Sequence, residues 1–294
     1  MLQRVVLMIK ENILQDKVLC AENNLLAELR AHGVEIAVTS DYDVYKSAQA
    51  ARTASGAASR SRIEEETLYI TDSENTYHVL QQQNKYVLPY RHEENGDVNF
   101  SGALYVIEQI EEVGYETIDM VYRRLAGLPW QILTTERCVI RETIEEDVDS
   151  FYQIYAEPEI TEHMEDLYAD RDEEIAYIRD YKEKVYGFYG YGMWTVLTKE
   201  GTIIGRAGIS WREGFDLPEL GFVIGVPWQR QGYAYEVCSA ILTYAQEELG
   251  LTRIQALVMS ENDKSVALCR KLGFQHIEEI TVDGQIYEQM VCDF

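Results

Sequence analysis

One segment near the C-terminal end places small residues where a phosphate group could bind. An apolar run, Leu220 to Ile224, predicts a strand, and the chain then passes through Gln229-Arg-Gln-Gly-Tyr-Ala234 into a long predicted helix, Tyr233 to Leu249. Gly232 and Ala234 leave space for a ligand against the main chain, and the unpaired N–H groups of a helix start attract anions. The segment therefore predicts a pyrophosphate-binding turn.

A second motif follows the next predicted strand, Ile254 to Met259. Asn262 and Ser265 open another predicted helix, which ends near Gly273, a residue type that commonly follows a helix C-terminus. Together the two motifs resemble the acyl-CoA site of the GNAT N-acetyltransferase family, and the resemblance covers residues 137–294.

Two short segments narrow the resemblance to one branch of that family. Thr135 to Arg141 and Lys271 to Phe274 are similar to the branch that acetylates the N-terminal amines of ribosomal proteins. The resemblance implies a mixed-sheet α/β domain in which acetyl-CoA, the cosubstrate, enters between two diverging strands. Main chain of the first strand would pair with the pantetheine, and main-chain N–H groups of the turn would hold the pyrophosphate. The implied cosubstrate-binding residues are Phe222, Val223, Ile224, Gln229, Arg230, Gln231, Gly232, Tyr233, Ala234, Asn262 and Ser265.

The candidate general base is Glu219. Amide formation from a thioester needs a neutral amine, so a base must take a proton from it, directly or through water. Glu219 begins the central predicted strand and matches a position where many family members that acetylate protein N-termini have a glutamate. Partial burial would raise its pKa and suit it to this role. A solvated glutamate at a strand end is the alternative interpretation.

The proton donor for the departing thiolate is predicted less directly. Many family members have a tyrosine at the position that Cys269 occupies in this sequence. The resemblance therefore makes Cys269 the candidate acid, because a thiol of ordinary pKa can still donate a proton. The alternative interpretation of Cys269 is a small buried residue on the helix, and Tyr233 and Tyr235 are alternative proton donors nearby in the sequence.

The predicted function is direct transfer of an acetyl group from acetyl-CoA to a primary amine. A peptide or protein N-terminus and a small-molecule amine both remain open as acceptors. Three segments would form the acceptor side: Glu159 to Tyr168, Tyr186 to Gly192 and Trp211 to Phe215. The alternatives are an acyltransferase that uses another acyl-CoA and a CoA-binding sensor or interaction module without turnover.

The first part of the chain, residues 1–130, alternates predicted strands and helices, a pattern typical of a parallel α/β sheet. It resembles a degenerate haloacid-dehalogenase (HAD)-like domain, with Thr39 and Asp72 at the ends of two predicted strands. Ile9 stands where that family has its nucleophilic aspartate, so no phosphoryl-enzyme can form and we expect no phosphatase activity. Residues 131–136 are predicted to be a linker, and Ala48 to Ser61 a surface helix or mobile loop.

Composition limits the other possibilities. The chain has 294 residues and a formal net charge of -25, and it lacks the clustered Lys and Arg that a nucleic-acid surface needs. The acidity favours a cationic acceptor or serves solubility alone. The five cysteines have neither disulfide nor zinc-site spacing, and no run of about 20 apolar residues occurs. We therefore expect a cytoplasmic protein without a metal site, a membrane segment or a nucleic-acid partner; its oligomeric state stays open.

Overall fold

The computed structural model describes residues 2–20, 24–39, 66–164, 166–282 and 284–294. The chain divides into two compact units, Met1–Leu128 and Pro129–Phe294. The helix or loop predicted for residues 48–61 lies outside the described residues.

The first unit contains a four-stranded sheet in which all strand pairs are parallel. The strands are β1 (Arg4–Met8), β2 (Glu35–Val38), β3 (Thr67–Thr71) and β4 (Tyr86–Pro89). Their order is β2-β1-β3-β4, so the chain moves to opposite sides of β1 after its first and second strands. Such a change of direction leaves a crevice at the carboxyl ends of the two central strands, where ligands bind in many open α/β sheets.

Strand β1 is buried on both faces, as expected for a central parallel strand. Val5 and Leu7 pack into one apolar cluster of this unit, and Val6 and Met8 pack into another. The α-helices in the described part of this unit are α1 (Glu11–Ile13), which continues as a π-helical turn (Leu14–Val18), α2 (Leu25–Ala31), α3 (Glu74–Gln82) and α4 (Tyr115–Leu125). The parallel sheet fits the predicted class, while the likeness to HAD-like domains stays a prediction.

The second unit contains an eight-stranded mixed sheet of order β11-β12-β10-β9-β8-β7-β6-β5. Its strands are β5 (Gln131–Thr134), β6 (Cys138–Arg141), β7 (Met193–Thr198), β8 (Ile203–Ser210), β9 (Glu219–Ile224), β10 (Arg253–Met259), β11 (Gln275–Val282) and β12 (Gln285–Asp293). Neighbouring strands are antiparallel except β9 and β10, which are parallel.

Strand β5 corrects the predicted linker at residues 131–136. Gln131, Leu133 and Thr134 pair with β6, and the partly buried Ile132 and Leu133 pack against the main core of the unit. An edge strand forms here because two apolar side chains are removed from water. The glycine and proline just before this segment favoured a linker, and the sequence did not show that the two side chains would be buried.

Helices cover both faces of the second sheet. They are α5 (Val148–Tyr155), α6 (Pro158–Thr161), α7 (Arg171–Tyr181), α8 (Gly187–Tyr189), α9 (Tyr233–Glu247) and α10 (Asp263–Lys271). Buried residues of α9 and α10 join the larger core, whereas α5 packs with Val223 in a smaller one. None of the helices in the described ranges is long and apolar enough to cross a membrane.

Candidate active site

Strands β9 and β10 meet at one end and diverge from there. Their single register pair is Glu219 with Gln255. The buried Gln255 secures this end, because its main-chain N–H donates to Pro218 O (2.9 Å) and its side-chain Nε2 donates to Leu217 O (3.1 Å). Beyond this point no described residue of β9 pairs with β10, so one edge of β9 is free to bind an extended ligand through main chain.

The main-chain groups that face this opening are those of Phe222 and Ile224. A Cβ built on Gly205 of β8 would lie 2.0 Å from Val223 O, so the Val223 carbonyl points towards β8. Since successive residues of a strand point their main-chain groups to opposite sides, Phe222 and Ile224 face away from β8. This corrects the prediction for Val223, whose main chain serves the sheet. Ile224 O already accepts from Gln229 Nε2 (3.0 Å), which leaves its N–H for a ligand.

The turn before α9 has the conformation of an anion-binding loop. Arg230 and Gly232 have positive φ angles of 59° and 86°, and Gly232 is the N-cap residue. The main-chain N–H groups from Arg230 to Tyr235 donate no hydrogen bond to any residue that the structure describes. Consecutive free N–H groups at the positive end of a 15-residue helix fit a pyrophosphate.

The two glutamine side chains of the turn shape it from within. Gln229 reaches back to the end of β9, as described above, and Gln231 Nε2 donates to Pro227 O (2.7 Å). Their side-chain amides are thus engaged inside the loop. Of the groups in this turn, the main-chain N–H groups are therefore the ones that remain available to bind the cosubstrate.

Asn262 caps helix α10, and its side-chain Oδ1 accepts from Ser265 N (3.1 Å). Two polar atoms of the residues predicted to bind the cosubstrate, Asn262 Oδ1 and the Ser265 main-chain N, are therefore bonded to each other. The Asn262 side-chain amide nitrogen remains available for a second contact.

Glu219 lies at the point where β9 and β10 meet. Its side chain is 16% exposed, and Oε2 is buried without a hydrogen-bond partner among the described residues. Arg212 Nε lies 3.8 Å from that oxygen, beyond hydrogen-bonding distance. Burial raises the pKa of Glu219 to about 7, and the charge of Arg212 moderates this increase. A carboxyl group with this pKa can accept and release a proton near neutral pH.

Cys269, the predicted acid, lies inside the larger apolar core and is fully buried. Burial raises the pKa of its thiol to about 12. An enclosed thiol that holds its proton this strongly is a poor donor to a departing thiolate. The structure thus corrects the catalytic prediction for Cys269, because a helix residue placed by sequence beside the site turns its side chain into the core.

An exposed row of aromatic side chains lies at the Glu219 end of β8. Ser210, the last residue of β8, pairs with Glu219, and the next residue, Trp211, donates from Nε1 to Tyr191 OH (2.6 Å). Tyr191 is followed by Tyr189 at a ring-centroid distance of 6.0 Å, and Tyr189 by Phe188 at 4.9 Å. We call these four residues the aromatic row. Phe188 is 79% exposed, an unusual position for so large an apolar side chain.

Four side chains gain an individual role only from the structure: Thr135, Arg137, Glu236 and Arg212. The first three join the N-terminal end of β6 to the start of α9, and Arg212 is the charged neighbour of Glu219. One signal was present for Glu236. An acidic residue in the first turn of a helix that must bind an anion requires a cation nearby.

The first unit has its own cleft, of about 510 Å³, at the carboxyl ends of β1 and β3. Its buried carboxylate, Asp72, accepts from Lys10 N (3.0 Å) and lies 3.2 Å from His92 Nε2. Glu94 N donates to His92 Nδ1 (3.2 Å), so His92 Nε2 carries the proton that Asp72 accepts. Helix α3 begins beside this cleft and is capped by Ser73.

A mixed sheet that opens between two parallel strands, followed by a glycine-capped helix with free N–H groups, defines a protein of the acyl-CoA-binding class predicted from sequence. Comparison with known proteins agrees. The model of the acetyltransferase (GNAT) domain matches residues 137–275. The chain belongs to the GNAT acetyltransferase family; it is an N-acetyltransferase, and acetyl-CoA is its cosubstrate.

Individual relatives show the same likeness. The chain is 30% identical over 152 residues to the uncharacterized N-acetyltransferase YoaA of Bacillus subtilis (strain 168), which covers 49% of this chain and 82% of that protein. It is 30% identical over 176 residues to the [ribosomal protein uS5]-alanine N-acetyltransferase of Escherichia coli (strain K12), and the match covers 54% of this chain and 88% of that protein. Among solved structures, an acetyltransferase from Agrobacterium tumefaciens str. C58 is 24% identical, with a TM-score of 0.46 over 54% of this chain and 92% of that one.

Proposed function

We propose that the second unit transfers the acetyl group of acetyl-CoA directly to a primary amine, with Glu219 as the general base acting through a water molecule. Acetyl-CoA supplies an activated acetyl thioester. The turn from Arg230 to Tyr235 holds its pyrophosphate, and the free edge of β9 at Phe222 and Ile224 aligns its pantetheine. The chain's remaining task is to take a proton from the attacking amine.

The observation that carries this proposal is the buried Oε2 of Glu219, which accepts no hydrogen bond from any described residue. A buried carboxylate oxygen without a hydrogen-bond donor is unfavourable, so its persistence at the point where β9 and β10 diverge favours a functional role. Its raised pKa, about 7, is close to the value at which a base is both deprotonated at physiological pH and able to bind a proton. A water molecule between Glu219 and the amine would complete the transfer path.

We favour the α-amine of a polypeptide as acceptor. The aromatic row starts one residue beyond Ser210, the register partner of Glu219, and continues through rings that are 6.0 and 4.9 Å apart. An extended peptide advances about 3.3 Å per residue, so residues behind an acetylated N-terminus would lie along this row. The similarity to the [ribosomal protein uS5]-alanine N-acetyltransferase, whose acceptor is a protein, points the same way.

The test measures thiol release from acetyl-CoA with unstructured peptides, with polyamines and with aminoglycosides. We expect release with peptides that have a free N-terminus and none with the same peptides after N-terminal blocking. With the best acceptor, Glu219→Gln should lower kcat/KM by about 100-fold, as expected for loss of a general base. Glu248→Gln, which removes an exposed carboxylate at the C-terminal end of α9, is the matched control and should leave kcat/KM unchanged.

The pH profile gives a second measurement. Because Glu219 must be deprotonated to act, wild-type kcat/KM should rise with pH and level off above about 7. The residual activity of Glu219→Gln should lack this rise. A wild-type profile retained by the variant would eliminate Glu219 as the base, and release with polyamines alone would eliminate the peptide acceptor.

A further inference from the structure

Glu236 presents an electrostatic problem at the pyrophosphate turn. It lies in the first turn of α9, directly after the main-chain N–H groups that would bind the pyrophosphate. Its side chain is 19% exposed and therefore partly shielded from solvent. An unneutralised carboxylate there would oppose binding of an anion, because screening by water is incomplete at a partly buried site.

Three groups donate hydrogen bonds to this carboxylate, and one of them belongs to a cation. Arg137 donates to it twice, from its main-chain N to Oε1 (2.8 Å) and from Nε to Oε2 (2.6 Å), and Thr135 Oγ1 donates to Oε1 (2.6 Å). Although burial raises the pKa of Glu236, the hydrogen bonds from Thr135 and Arg137 lower it overall. The carboxylate therefore stays charged, and the Arg137 guanidinium balances that charge.

The same guanidinium contacts Gln231 and Tyr233 of the turn and lies beside Gly232 between them. Arg137 Nη1 donates to Gln231 O (3.0 Å), and the guanidinium carbon lies 4.1 Å from the centroid of the Tyr233 ring. Arg137 Nη2 lies 3.4 Å from the position that a Cβ would take on Gly232. These contacts fix the carbonyl of Gln231 on the Arg137 side of the turn, where it cannot face a bound anion.

We infer that Arg137 is a positioning residue for acetyl-CoA, which holds the turn from Gln231 to Tyr233 in its anion-binding form and cancels the charge of Glu236 beside the pyrophosphate. This inference rests on the proposed function only in taking the turn as the pyrophosphate site. It is independent of the acceptor and of Glu219.

Isothermal titration calorimetry of the full chain with CoA, without an acceptor, measures the effect directly. Arg137→Ala should weaken CoA binding by about 10- to 50-fold, since it leaves a partly buried carboxylate without its cation. At saturating acetyl-CoA, kcat should stay within about threefold of wild type, because Arg137 touches no reacting atom. Arg253→Ala removes an exposed arginine from its ion pair with Asp293 and serves as the control, with unchanged affinity.

A double variant separates charge neutralisation from general damage to the fold. In Arg137→Ala/Glu236→Gln the unbalanced carboxylate is absent, and we expect CoA affinity to recover to within about fivefold of wild type. The glutamine keeps the oxygen that accepts from Thr135 Oγ1 and from the main-chain N of residue 137, so the second substitution removes the charge and no further hydrogen bond. If Arg137 only supported the fold, CoA affinity in the double variant would stay as low as in Arg137→Ala, and that result would overturn the inference.

A truncated acetyl donor provides a readout that structural damage would not imitate. Acetylpantetheine carries the thioester but no pyrophosphate, so Arg137→Ala and wild type should use it with equal kcat/KM. Equal losses with acetyl-CoA and acetylpantetheine would contradict the inference. Normal CoA binding by wild type together with no transfer to any amine would reject the proposed function and leave the Arg137 result intact.

Discussion

Helix α3 of the first unit and helix α9 of the second both begin beside a cleft, but their first N–H groups have different partners. In α3 the Ser73 side chain accepts from Thr76 N (3.4 Å), so the chain caps itself. In α9 the N-cap residue is Gly232, which has no side chain to offer, and the N–H groups from Arg230 to Tyr235 have no partner in the described chain. A helix start of the second kind needs an external acceptor.

Two buried carboxylates beside these clefts differ in the same way. Asp72 Oδ2 accepts from Lys10 N and lies 3.2 Å from His92 Nε2, whereas Glu219 Oε2 accepts no hydrogen bond from any described residue. A missing donor is not sufficient by itself, since Asp119 Oδ1 of the first unit is also buried without one. A functional site is indicated where an unsatisfied group and an opening for a ligand occur together.

Asp72→Ala should give the largest change in stability. Lys10 N–H and His92 Nε2–H both bond to one oxygen of Asp72, Oδ2, and leaving these two buried donors unsatisfied costs about 2–3 kcal/mol. Hydrogen exchange should speed up in peptides from residues 2–20 and 66–95, while kcat and KM stay unchanged. Asp97→Ala, at an exposed position, is the control. A fall in kcat without faster exchange would break the contrast between the units.

Gly232→Ala should weaken CoA binding by about 10-fold or more, because a side chain at φ 86° strains the turn that presents the N–H groups. The matched control is Gly201→Ala in the connection between β7 and β8, where φ is 89° and a Cβ would meet nothing within 4 Å. Both variants should lose about 1 kcal/mol of stability. Calorimetry with CoA should detect weaker binding in Gly232→Ala alone.

Glu219→Gln should make the second unit more stable at high pH. The native carboxyl holds its proton up to about pH 7, whereas the unfolded one releases it near 4.5, so the native state loses stability as pH rises between these values. The neutral amide avoids this loss. We expect its stabilisation over wild type to grow by about 1–2 kcal/mol from pH 5.5 to pH 8. Urea unfolding at both pH values measures it, and a pH-independent difference would contradict the assigned pKa.

The helix caps should show the smallest effects. Ser73→Ala and Asn262→Ala should each cost about 1 kcal/mol, the usual value for loss of an N-cap side chain. Asn262→Ser keeps a capping oxygen and removes the amide, so it should retain stability and, if Asn262 only caps α10, an unchanged KM for acetyl-CoA. A higher KM in this variant would reveal a contact between the Asn262 amide and the cosubstrate.

Much of the second unit follows from local sequence. The apolar strand before the turn, the glycine at the helix start and the Asn262 cap depend on residues close in the chain, and the structure contains each of them. Predicted bounds were close as well, with the long helix expected at 233–249 and present at Tyr233–Glu247. The edge strand β5 was missed because its formation depends on pairing with β6 and on burial against the core.

The site's details depended on contacts that local sequence does not encode. Val223 was assigned a ligand contact, but the register with β8 turns its main chain to the sheet. Cys269 was assigned proton donation, but the rotation of α10 places its thiol in the core. A shift of one residue in strand register moves a group to the opposite face, and a shift of one position along a helix turns it towards another side. Either shift reverses such an assignment.

Local sequence was enough to predict a chain of the GNAT family that uses acetyl-CoA, with a candidate phosphate-binding turn between a strand and a helix. The pairing of charged and polar groups became visible only in the assembled fold. Arg137 and Glu236 are 99 positions apart, and Glu219 meets Gln255 across two strands. Local conformation follows from neighbouring residues, whereas the partner of a charge is set by strand order and register. For this reason the sequence could not reveal that Glu219 Oε2 has no hydrogen-bond donor among the described residues.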